Sequence, residues 1–263
     1  GFDYALNALA ICRLGHTVAY LSTNNSVPAL AHLVKATKAQ CLLYGTDQTS
    51  KILDLKAFLL EQGQTSTQMM QCTTVAEAVE TSPAEDQTGR EAFPASQLSY
   101  AEESPEVAFI VHSSGSTGFP KPILITHRAS VANLASAFGR DGFITVPLFH
   151  NFGHASFWRA VYAGKKLFMH DGRLTADVLV DAIGASTASQ FYAVPFVLKL
   201  LSESERGLEA LRRFELVTFA GSACPSEIGD MLVQQHNVPL VALYGSTEVG
   251  QLMTSFRDFA TDK

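Results

Sequence analysis

The sequence has little charge, few cysteines and no long apolar run. Only 17% of its 263 residues are charged, and 25 acidic against 19 basic side chains give a net charge of −6. This balance argues against non-specific nucleic-acid binding, which requires a basic face. No stretch approaches the roughly 20 consecutive apolar residues that span a bilayer, so no membrane partner is expected.

Cysteine is also too sparse to build a scaffold. The four cysteines (Cys12, Cys41, Cys72 and Cys224) are scattered and include no CxxC pair. Neither a zinc knuckle nor a disulfide framework is predicted, and we expect a reducing, cytoplasmic compartment.

The first third of the chain alternates between helical and strand patterns. An apolar pattern that ends at Gly15 is typical of the last turns of a helix, so we expect the chain to begin inside a domain. Strands predicted at 17–22 and 40–45 flank a helix from Pro28 to about Lys38, which favours a parallel βαβ unit. A further helix is predicted at 50–62.

Residues 81–106 are polar, acidic and interrupted by proline. This composition indicates a surface connection, which either separates two subdomains or forms one long loop.

The α/β alternation then resumes. Thr126 is the expected N-cap of a helix over 129–138, and "QFYAVPF" turns from strand to helix at Pro195. Further strands are predicted at 106–112, 143–149, 165–169, 214–221 and 239–245, and further helices at 153–163 and 226–236. The predicted fold class is α/β, with layered sheets of parallel strands flanked by helices.

The stretch "HSSGSTGFPKP" (112–122) follows a buried strand. Its glycines allow backbone N–H groups to turn inward, its hydroxyls add donors, and its lysine can neutralise an anion. The candidate phosphate-binding residues are Ser113, Ser114, Gly115, Ser116, Thr117, Gly118 and Lys121. It is not a Walker A loop, because no G-x-x-x-x-G-K-[ST] fits through it. The alternative is an ordinary serine-glycine surface turn.

A second loop, "LYGSTEVG" (243–250), also follows a strand but contains a carboxylate. Its candidate residues are Tyr244, Gly245, Ser246, Thr247 and Glu248. A carboxylate beside phosphate donors is explained if Mg²⁺ bridges the protein and a phosphate chain. Tyr244 would stack on a base or ribose. The alternative for Glu248 is a first-turn helix carboxylate that meets the helix dipole.

Parallel strands at 214–220 and 239–244 would bring "AGSAC" and "YGSTE" to one sheet edge, since ligands of open parallel sheets bind at the carboxyl ends of strands. We expect both loops, and the 112–121 loop, to face one crevice that suits a nucleoside triphosphate with Mg²⁺.

Four motifs in order, "HSSGSTGFPKP", "PLFHNFG", "FAGSACPSEI" and "LYGSTEVG", resemble the adenylate-forming superfamily of acyl-CoA synthetases, luciferases and nonribosomal peptide synthetase adenylation domains. The resemblance covers nearly the whole chain and is strongest to fungal multidomain synthetase-like enzymes. It implies that Ser113–Gly118 and Lys121 hold phosphates. It also implies that Gly221, Ser222 and Ala223 form the adenine-side turn, that Tyr244 lies against adenine, that Thr247 touches the α-phosphate, and that Glu248 holds Mg²⁺.

The reaction implied by the resemblance is the attack of a small carboxylic acid on ATP to give acyl-AMP and pyrophosphate. A thiol then takes the acyl group, either coenzyme A or the phosphopantetheine of a carrier-protein domain encoded downstream. No protein nucleophile is needed. The alternatives are a free-standing acyl-CoA synthetase and a non-catalytic nucleotide-binding remnant.

The chain departs from the family pattern in two ways. Pro122 follows the loop lysine where glycine is more frequent, which removes one N–H donor. The ribose-binding aspartate, the hinge and the C-terminal lid do not appear before residue 263. We therefore expect residues 1–263 to be a partial adenylation domain that is inactive alone.

The resemblance implies that residues around "FHNFGHASFW" line the acid pocket, with Phe149, His150 and Gly153 as its wall. It also implies that an enzyme of this family that activates amino acids would carry an aspartate here to pair with the substrate ammonium. No Asp or Glu occurs from Ile144 to His170, so an acid without an α-amino group is favoured, because an unpaired buried ammonium is costly. Phe157 and Trp158 are expected in the core. His150 and His154 stand four residues apart, but a zinc site is not predicted without further ligands.

Overall fold

The computed structural model describes residues 1–72, 74, 98–113, 118–136 and 138–255. It contains two compact units, Phe2–Ala129 and the chain from Ser130 onward together with Gly1. Residues 81–97 of the predicted connection lie outside the described residues, so its role as a subdomain boundary stays a prediction.

The first unit mixes short strands with helices. Its elements are α1 (Phe2–Arg13), β1 (Val18–Ala19), α2 (Val27–Thr37), β2 (Cys41–Tyr44), a 3-10 turn (Thr46–Gln48), α3 (Thr49–Glu61), β3 (Gln68–Gln71), α4 (Tyr100–Glu103), β4 (Val107–His112) and β5 (Pro122–Thr126). Helix α5 (His127–Leu134) begins in this unit.

Two sheets form in this unit, and their pairing corrects one prediction. Strand β1 pairs in parallel with β4 (Val18 with Phe109), whereas β2 pairs in parallel with β3. The βαβ unit predicted across 17–45 is therefore wrong, because its two strands belong to different sheets. The physical reason is that β1, at two residues, gains its backbone partners from a strand about ninety positions later rather than from its neighbour along the chain.

Local signals place three helix ends as expected and one differently. The helix predicted before Gly15 ends at Arg13, and Gly15 has a φ of 77°. The Ser26 hydroxyl caps α2 by accepting from the Ala29 N–H. Thr126 Oγ1 accepts from the Ala129 N–H at 3.2 Å, which confirms Thr126 as a cap. The helix that follows runs from His127 to Leu134, so it begins and ends earlier than the predicted 129–138.

The second unit has a regular α/β order. Its elements are β6 (Gly142–Ile144), α6 (Asn151–Ala163), β7 (Leu167–Met169), α7 (Ala176–Gly184), β8 (Gln190–Ala193), α8 (Pro195–Ser202), α9 (Glu205–Arg212), β9 (Leu216–Phe219), α10 (Ser226–Asp230) with a π-helical turn (Met231–Gln235), β10 (Leu240–Ser246) and β11 (Gly250–Ser255). Every strand and helix predicted here is present, although most strands are shorter than predicted.

These strands form one sheet in the order β11-β10-β9-β8-β6-β7. All neighbours pair in parallel except β10 and β11, which form an antiparallel hairpin. The parallel pairing of β9 with β10 confirms the βαβ unit predicted there. Helices α7, α8 and α9 pack on the sheet through a buried cluster around Leu198, Leu211 and Val217. Strand β8 is buried at all four residues, as both-face coverage of a parallel sheet requires.

Within the described part of the chain, no helix combines the length and apolar character needed to cross a bilayer.

Candidate functional site

The carboxyl ends of five parallel strands define one edge of the second unit's sheet, because parallel strands end on the same side. The segment after β6 contains Phe149 and His150, that after β9 contains Gly221–Ala223, and that after β10 contains Thr247 and Glu248. Strands β9 and β10 are adjacent and about 4.8 Å apart, and β10 continues to Ser246, four residues past its last pair with β9 (Ala242 with Phe219). The expectation that "AGSAC" and "YGSTE" share a sheet edge is confirmed.

The loop after β10 is the tight turn of a β-hairpin. Ser246 pairs with Gly250, and Thr247–Val249 form the turn between them. A Cβ at Gly245 would collide with the carbonyl of Gly250, so the close approach of the two strands requires glycine there. The helix-terminus alternative for Glu248 is wrong, because Glu248 lies in this turn.

Exposure separates the residues of this hairpin. Glu248 is exposed and Thr247 is half-buried. Tyr244 lies beside a bulge in the β10–β11 pairing and has 62% of its surface exposed. Both the Glu248 carboxylate and the Tyr244 ring are thus exposed to solvent.

A side chain from another element holds this turn. Asn151, the first residue of α6, donates from Nδ2 to the carbonyl oxygen of Ser246 at 3.2 Å. This bond connects the segment that carries Phe149 and His150 to the segment that carries Thr247 and Glu248.

The turn after β9 begins at Gly221, whose φ of 96° favours glycine. Gly221, Ser222 and Ala223 are all exposed, and the strand end is fixed by a bond from the Ala220 N–H to the Ala193 carbonyl at 3.3 Å. Burial raises the pKa of the Cys224 thiol. This agrees with a packed thiol rather than a nucleophile.

The segment after β6 and the start of α6 are closely packed. Phe149 is half-buried and its ring centroid lies 4.8 Å from that of the exposed His150. Gly153 is buried, and a Cβ there would collide with the carbonyl of Pro147. The structure gives Gly153 a packing role, so its place in the acid pocket stays a prediction.

The aromatic residues that follow divide between core and partial exposure. Phe157 is 7% exposed, which confirms it as core, and Trp158 is half-buried. Phe152 packs edge-on against Tyr192. His154 is 4% exposed, and burial lowers its pKa to about 3, so the ring is neutral at physiological pH.

The remaining candidates belong to the first unit. Strands β4 and β5 form an antiparallel hairpin in which His112 pairs with Pro122, and the Ser113 N–H donates to the Lys121 carbonyl at 3.1 Å. Ser113 is half-buried, while Gly118 and Lys121 are exposed. Ser114, Gly115, Ser116 and Thr117 lie outside the described residues.

His112 anchors the base of this hairpin loop. Its Nε2 accepts from the Ser22 N–H at 3.2 Å, which requires an unprotonated nitrogen. Burial lowers the pKa of His112, against an opposing hydrogen bond with the Ser113 backbone. The neutral ring therefore connects β4 to the segment after β1.

No cluster of three or more His, Cys, Asp or Glu side chains that could hold a metal exists among residues the structure describes. A metal at Glu248 would therefore need most of its ligands from water and a bound phosphate. Mg²⁺ is the ion that commonly binds in this way.

Sequence reasoning missed three residues that shape the site: Asn151, Asn133 and Arg159. Arg159 is 2% exposed and donates to Asn133, whose side-chain amide lies against Gly250 of the hairpin. One signal was available, because Arg159 is the one charged residue within the apolar stretch "SFWRAVYA", and such a residue is a candidate for a buried cation.

Several curated proteins similar to the chain are fungal enzymes. A non-ribosomal peptide synthetase of Acremonium egyptiacum, ascB, is 36% identical over 166 residues, covering 59% of this chain and 15% of its own length. The adenylate-forming reductase stbB of Stachybotrys bisbyi is 27% identical over 264 residues, covering 97% of this chain and 24% of its own. The chain thus spans about a quarter or less of these relatives.

Solved structures show the same fold. The luciferase-like enzyme of the mealworm Zophobas morio superposes with a TM-score of 0.79 at 18% identity, over 97% of this chain and 60% of that protein. A malonyl-CoA ligase in complex with methylmalonyl-CoA and AMP gives 0.74 at 19% identity, over 97% of this chain and 52% of the ligase.

The predicted fold class is therefore confirmed: this is the α/β fold of the large domain of adenylate-forming enzymes. The family model described as "AMP-binding enzyme" matches residues 2–263. The chain belongs to the AMP-binding enzyme family.

Proposed function

We propose that the protein uses ATP and Mg²⁺ to activate a small carboxylic acid as acyl-AMP. The observation that carries the proposal is the β10–β11 turn, which presents an exposed Glu248 beside the Thr247 hydroxyl at the carboxyl edge of a parallel sheet. In an AMP-binding enzyme, this is a turn suited to a metal-bound phosphate chain.

The activation step forms a bond between a carboxylate oxygen and the α-phosphorus of ATP. The bond from that phosphorus to the bridging oxygen breaks, and pyrophosphate leaves with its electron pair. No protein group forms a covalent bond. The protein positions the reactants and stabilises the charge that develops on the phosphate oxygens.

Each candidate residue has a proposed part in this step. Ser113, Gly118 and Lys121 would meet the outer phosphates, together with the loop residues outside the described ranges. Gly221–Ala223 and Tyr244 would contact adenine, and Thr247 would contact the α-phosphate. Glu248 would hold Mg²⁺, which neutralises phosphate charge when bound.

We also propose that a thiol accepts the acyl group. The names of the relatives support this, since they include a peptide synthetase and an adenylate-forming reductase, and a structural neighbour was solved with methylmalonyl-CoA and AMP. We favour the phosphopantetheine of a carrier-protein domain, with the chain as one module of a multidomain synthetase. A free-standing acyl-CoA synthetase that uses coenzyme A is the alternative.

Acid-dependent ATP–pyrophosphate exchange across a Mg²⁺ titration, measured on the full-length protein, tests the proposal. Lys121→Ala should raise the KM for ATP and slow exchange at every Mg²⁺ concentration, because the lost charge acts on phosphate directly. Glu248→Gln should slow exchange about a hundredfold at low Mg²⁺, equivalent to ~3 kcal/mol. High Mg²⁺ should partly restore its rate, since mass action offsets a weakened ion site.

Two exposed residues provide matched controls, Lys56→Ala on α3 and Glu209→Gln on α9. Both should leave exchange unchanged. Near-full activity of Glu248→Gln at low Mg²⁺ would refute the metal assignment. Tight ATP binding without exchange for any acid would instead identify a non-catalytic nucleotide-binding protein.

A further inference from the structure

Arg159 is buried in the second unit, and it has no acidic partner among the residues that the structure describes. Its side chain is 2% exposed, and across the described ranges no carboxylate lies within salt-bridge distance of its guanidinium. Nη2 donates to Asn133 Oδ1 at 2.7 Å and to Ser136 Oγ at 3.0 Å, and Nε donates to the Asn133 carbonyl at 3.2 Å. In the described part of the chain, the hydrogen-bond acceptors of this cation are therefore neutral oxygens.

Stability does not explain an arginine at this position. Burying an ion is costly, and replacing buried charged groups by apolar residues of similar volume is often neutral or stabilising. Burial also lowers the pKa of Arg159, against the favourable influence of nearby Tyr192. A methionine would fill the same space at a lower desolvation cost, so the guanidinium must provide something besides packing.

What it provides is the orientation of one side chain. Arg159 fixes both the carbonyl and the Oδ1 of Asn133, so the Nδ2 of that amide is directed away from the arginine. The position that a Cβ would occupy on Gly250 is filled by this Nδ2. Gly250 has a φ of 72°, and the Asn133 amide packs against it.

Gly250 transmits this contact to the Thr247–Val249 turn. It pairs with Ser246, and its carbonyl lies directly over Gly245. The turn is thus contacted at its start by Asn151, which donates to the Ser246 carbonyl, and at its end by Asn133, which packs against Gly250.

We infer that Arg159 is a positioning residue for the Thr247–Val249 turn, which it fixes through the side-chain amide of Asn133 against Gly250. Its consequence for catalysis rests on the proposed function, in which this turn holds Mg²⁺ and the α-phosphate. Groups that orient a metal-binding residue without touching the metal commonly contribute about 10- to 100-fold to metal affinity or activity.

Two substitutions in the full-length protein separate positioning from folding. Arg159→Met removes the donors and keeps the volume. Asn133→Asp keeps an acceptor for Arg159 and gives it an ionic partner, so folding is preserved, but it replaces the Nδ2 amide by an oxygen against Gly250. Arg213→Met is the control, because Arg213 lies before β9 and donates to the backbone carbonyls of Ile183 and Ser186, which lie before β8. These bonds are at the amino ends of the parallel strands, whereas the turn follows the carboxyl end of β10.

Hydrogen exchange of the peptide that spans 244–252 is the readout that does not depend on activity. Arg159→Met and Asn133→Asp should both accelerate exchange there by about one order of magnitude or more, while Arg213→Met should not. Arg159→Lys, which keeps one charged donor, should give an intermediate rate. Equal exchange of this peptide in Arg159→Met, Asn133→Asp and the wild type would overturn the inference.

The Mg²⁺ concentration at half-maximal pyrophosphate exchange is the second readout. It should rise about tenfold in Arg159→Met and Asn133→Asp and stay unchanged in Arg213→Met. A lower melting temperature with an unchanged Mg²⁺ requirement would mean that Arg159 acts only on stability. That result would refute the claim that Arg159 affects catalysis through the turn. The wild-type protein could show no pyrophosphate exchange with any acid tested, while hydrogen exchange of the 244–252 peptide still rises in Arg159→Met and Asn133→Asp. The proposed function would then fail and the positioning inference would stand.

Discussion

His154 lies in α6 with 4% of its surface exposed, and burial lowers its pKa to about 3, whereas an unfolded histidine titrates near 6.5. The folded state therefore holds the ring neutral. Its contribution to stability is complete above pH ~6.5 and is lost as the pH falls towards 3, because only the unfolded state then binds the proton. The slope is about 1.4 kcal/mol per pH unit, so about 2 kcal/mol is lost between pH 6.5 and 5.

The opening free energy of α6, measured by hydrogen exchange between pH 7 and 5 and corrected for intrinsic rates, checks this prediction. His154→Gln should flatten the pH dependence, while His16→Gln, at an exposed position, should leave it intact. An equal slope in wild type and His154→Gln would show that the ring does not control the stability of this helix.

Residue types alone predicted a large part of the candidate site. Glycine and hydroxyl residues after strands indicated loops at Gly221–Ala223 and Gly245–Glu248. The structure has a bend that begins at Gly221 and a turn at Thr247–Val249, whereas Gly245 and Ser246 still belong to β10. The link from Arg159 to Asn133 was not predictable, since the two residues are 26 positions apart and belong to different helices. No local pattern tells which acceptor a buried arginine will find.

The β10–β11 hairpin has glycine at position 250, where alanine would incur two costs, a left-handed backbone conformation and a collision of its Cβ. Gly250 and Gly164 both have positive φ, 72° and 62°, but a Cβ at Gly164 would meet nothing within 4 Å. Gly164→Ala should therefore cost only the left-handed conformation, about 1 kcal/mol. Gly250→Ala should cost more, because its Cβ also collides with Asn133, and it should slow pyrophosphate exchange.

Thermal unfolding and exchange kinetics of the two variants make the comparison. A normal rate in Gly250→Ala, with a melting temperature equal to that of Gly164→Ala, would show that the contact between Asn133 and Gly250 can relax freely.

Element prediction succeeded where neighbours along the chain are also neighbours in the sheet. Strands β9 and β10 flank one helical segment and pair directly, so the local pattern was enough. The pattern at β1 and β2 is similar, yet β1 pairs with β4. The difference is a long-range choice that local periodicity does not contain.

At the scale of the whole molecule, four motifs in order identified the family that the comparisons then showed. They did not reveal how the chain divides, since its two compact units meet at residues 129 and 130, within α5. The polar composition at 81–106 pointed to a connection, but a division inside a helix has no compositional signal.

Substrate selectivity also belongs to the scale of the whole molecule, because a carboxylate that binds a substrate ammonium can come from any part of the chain. The segment from Ile144 to His170 has no Asp or Glu, and its fixed charges are the cations Arg159, Lys165 and Lys166. A substrate α-ammonium placed against this segment would lose its water without gaining a carboxylate, at a cost of about 1–3 kcal/mol. We therefore expect the full-length protein to prefer acids without an α-amino group by about 10- to 100-fold in kcat/KM.

Matched pairs of acids, such as 3-phenylpropanoate with phenylalanine and 4-methylpentanoate with leucine, compared in pyrophosphate exchange, isolate the amino group from side-chain shape. The KM for ATP should be the same within each pair, since the nucleotide contacts do not change. A higher kcat/KM for the amino acid in every pair would mean that an acidic residue outside 144–170 binds the ammonium, and the cationic character of this segment would then have no part in selecting the acid.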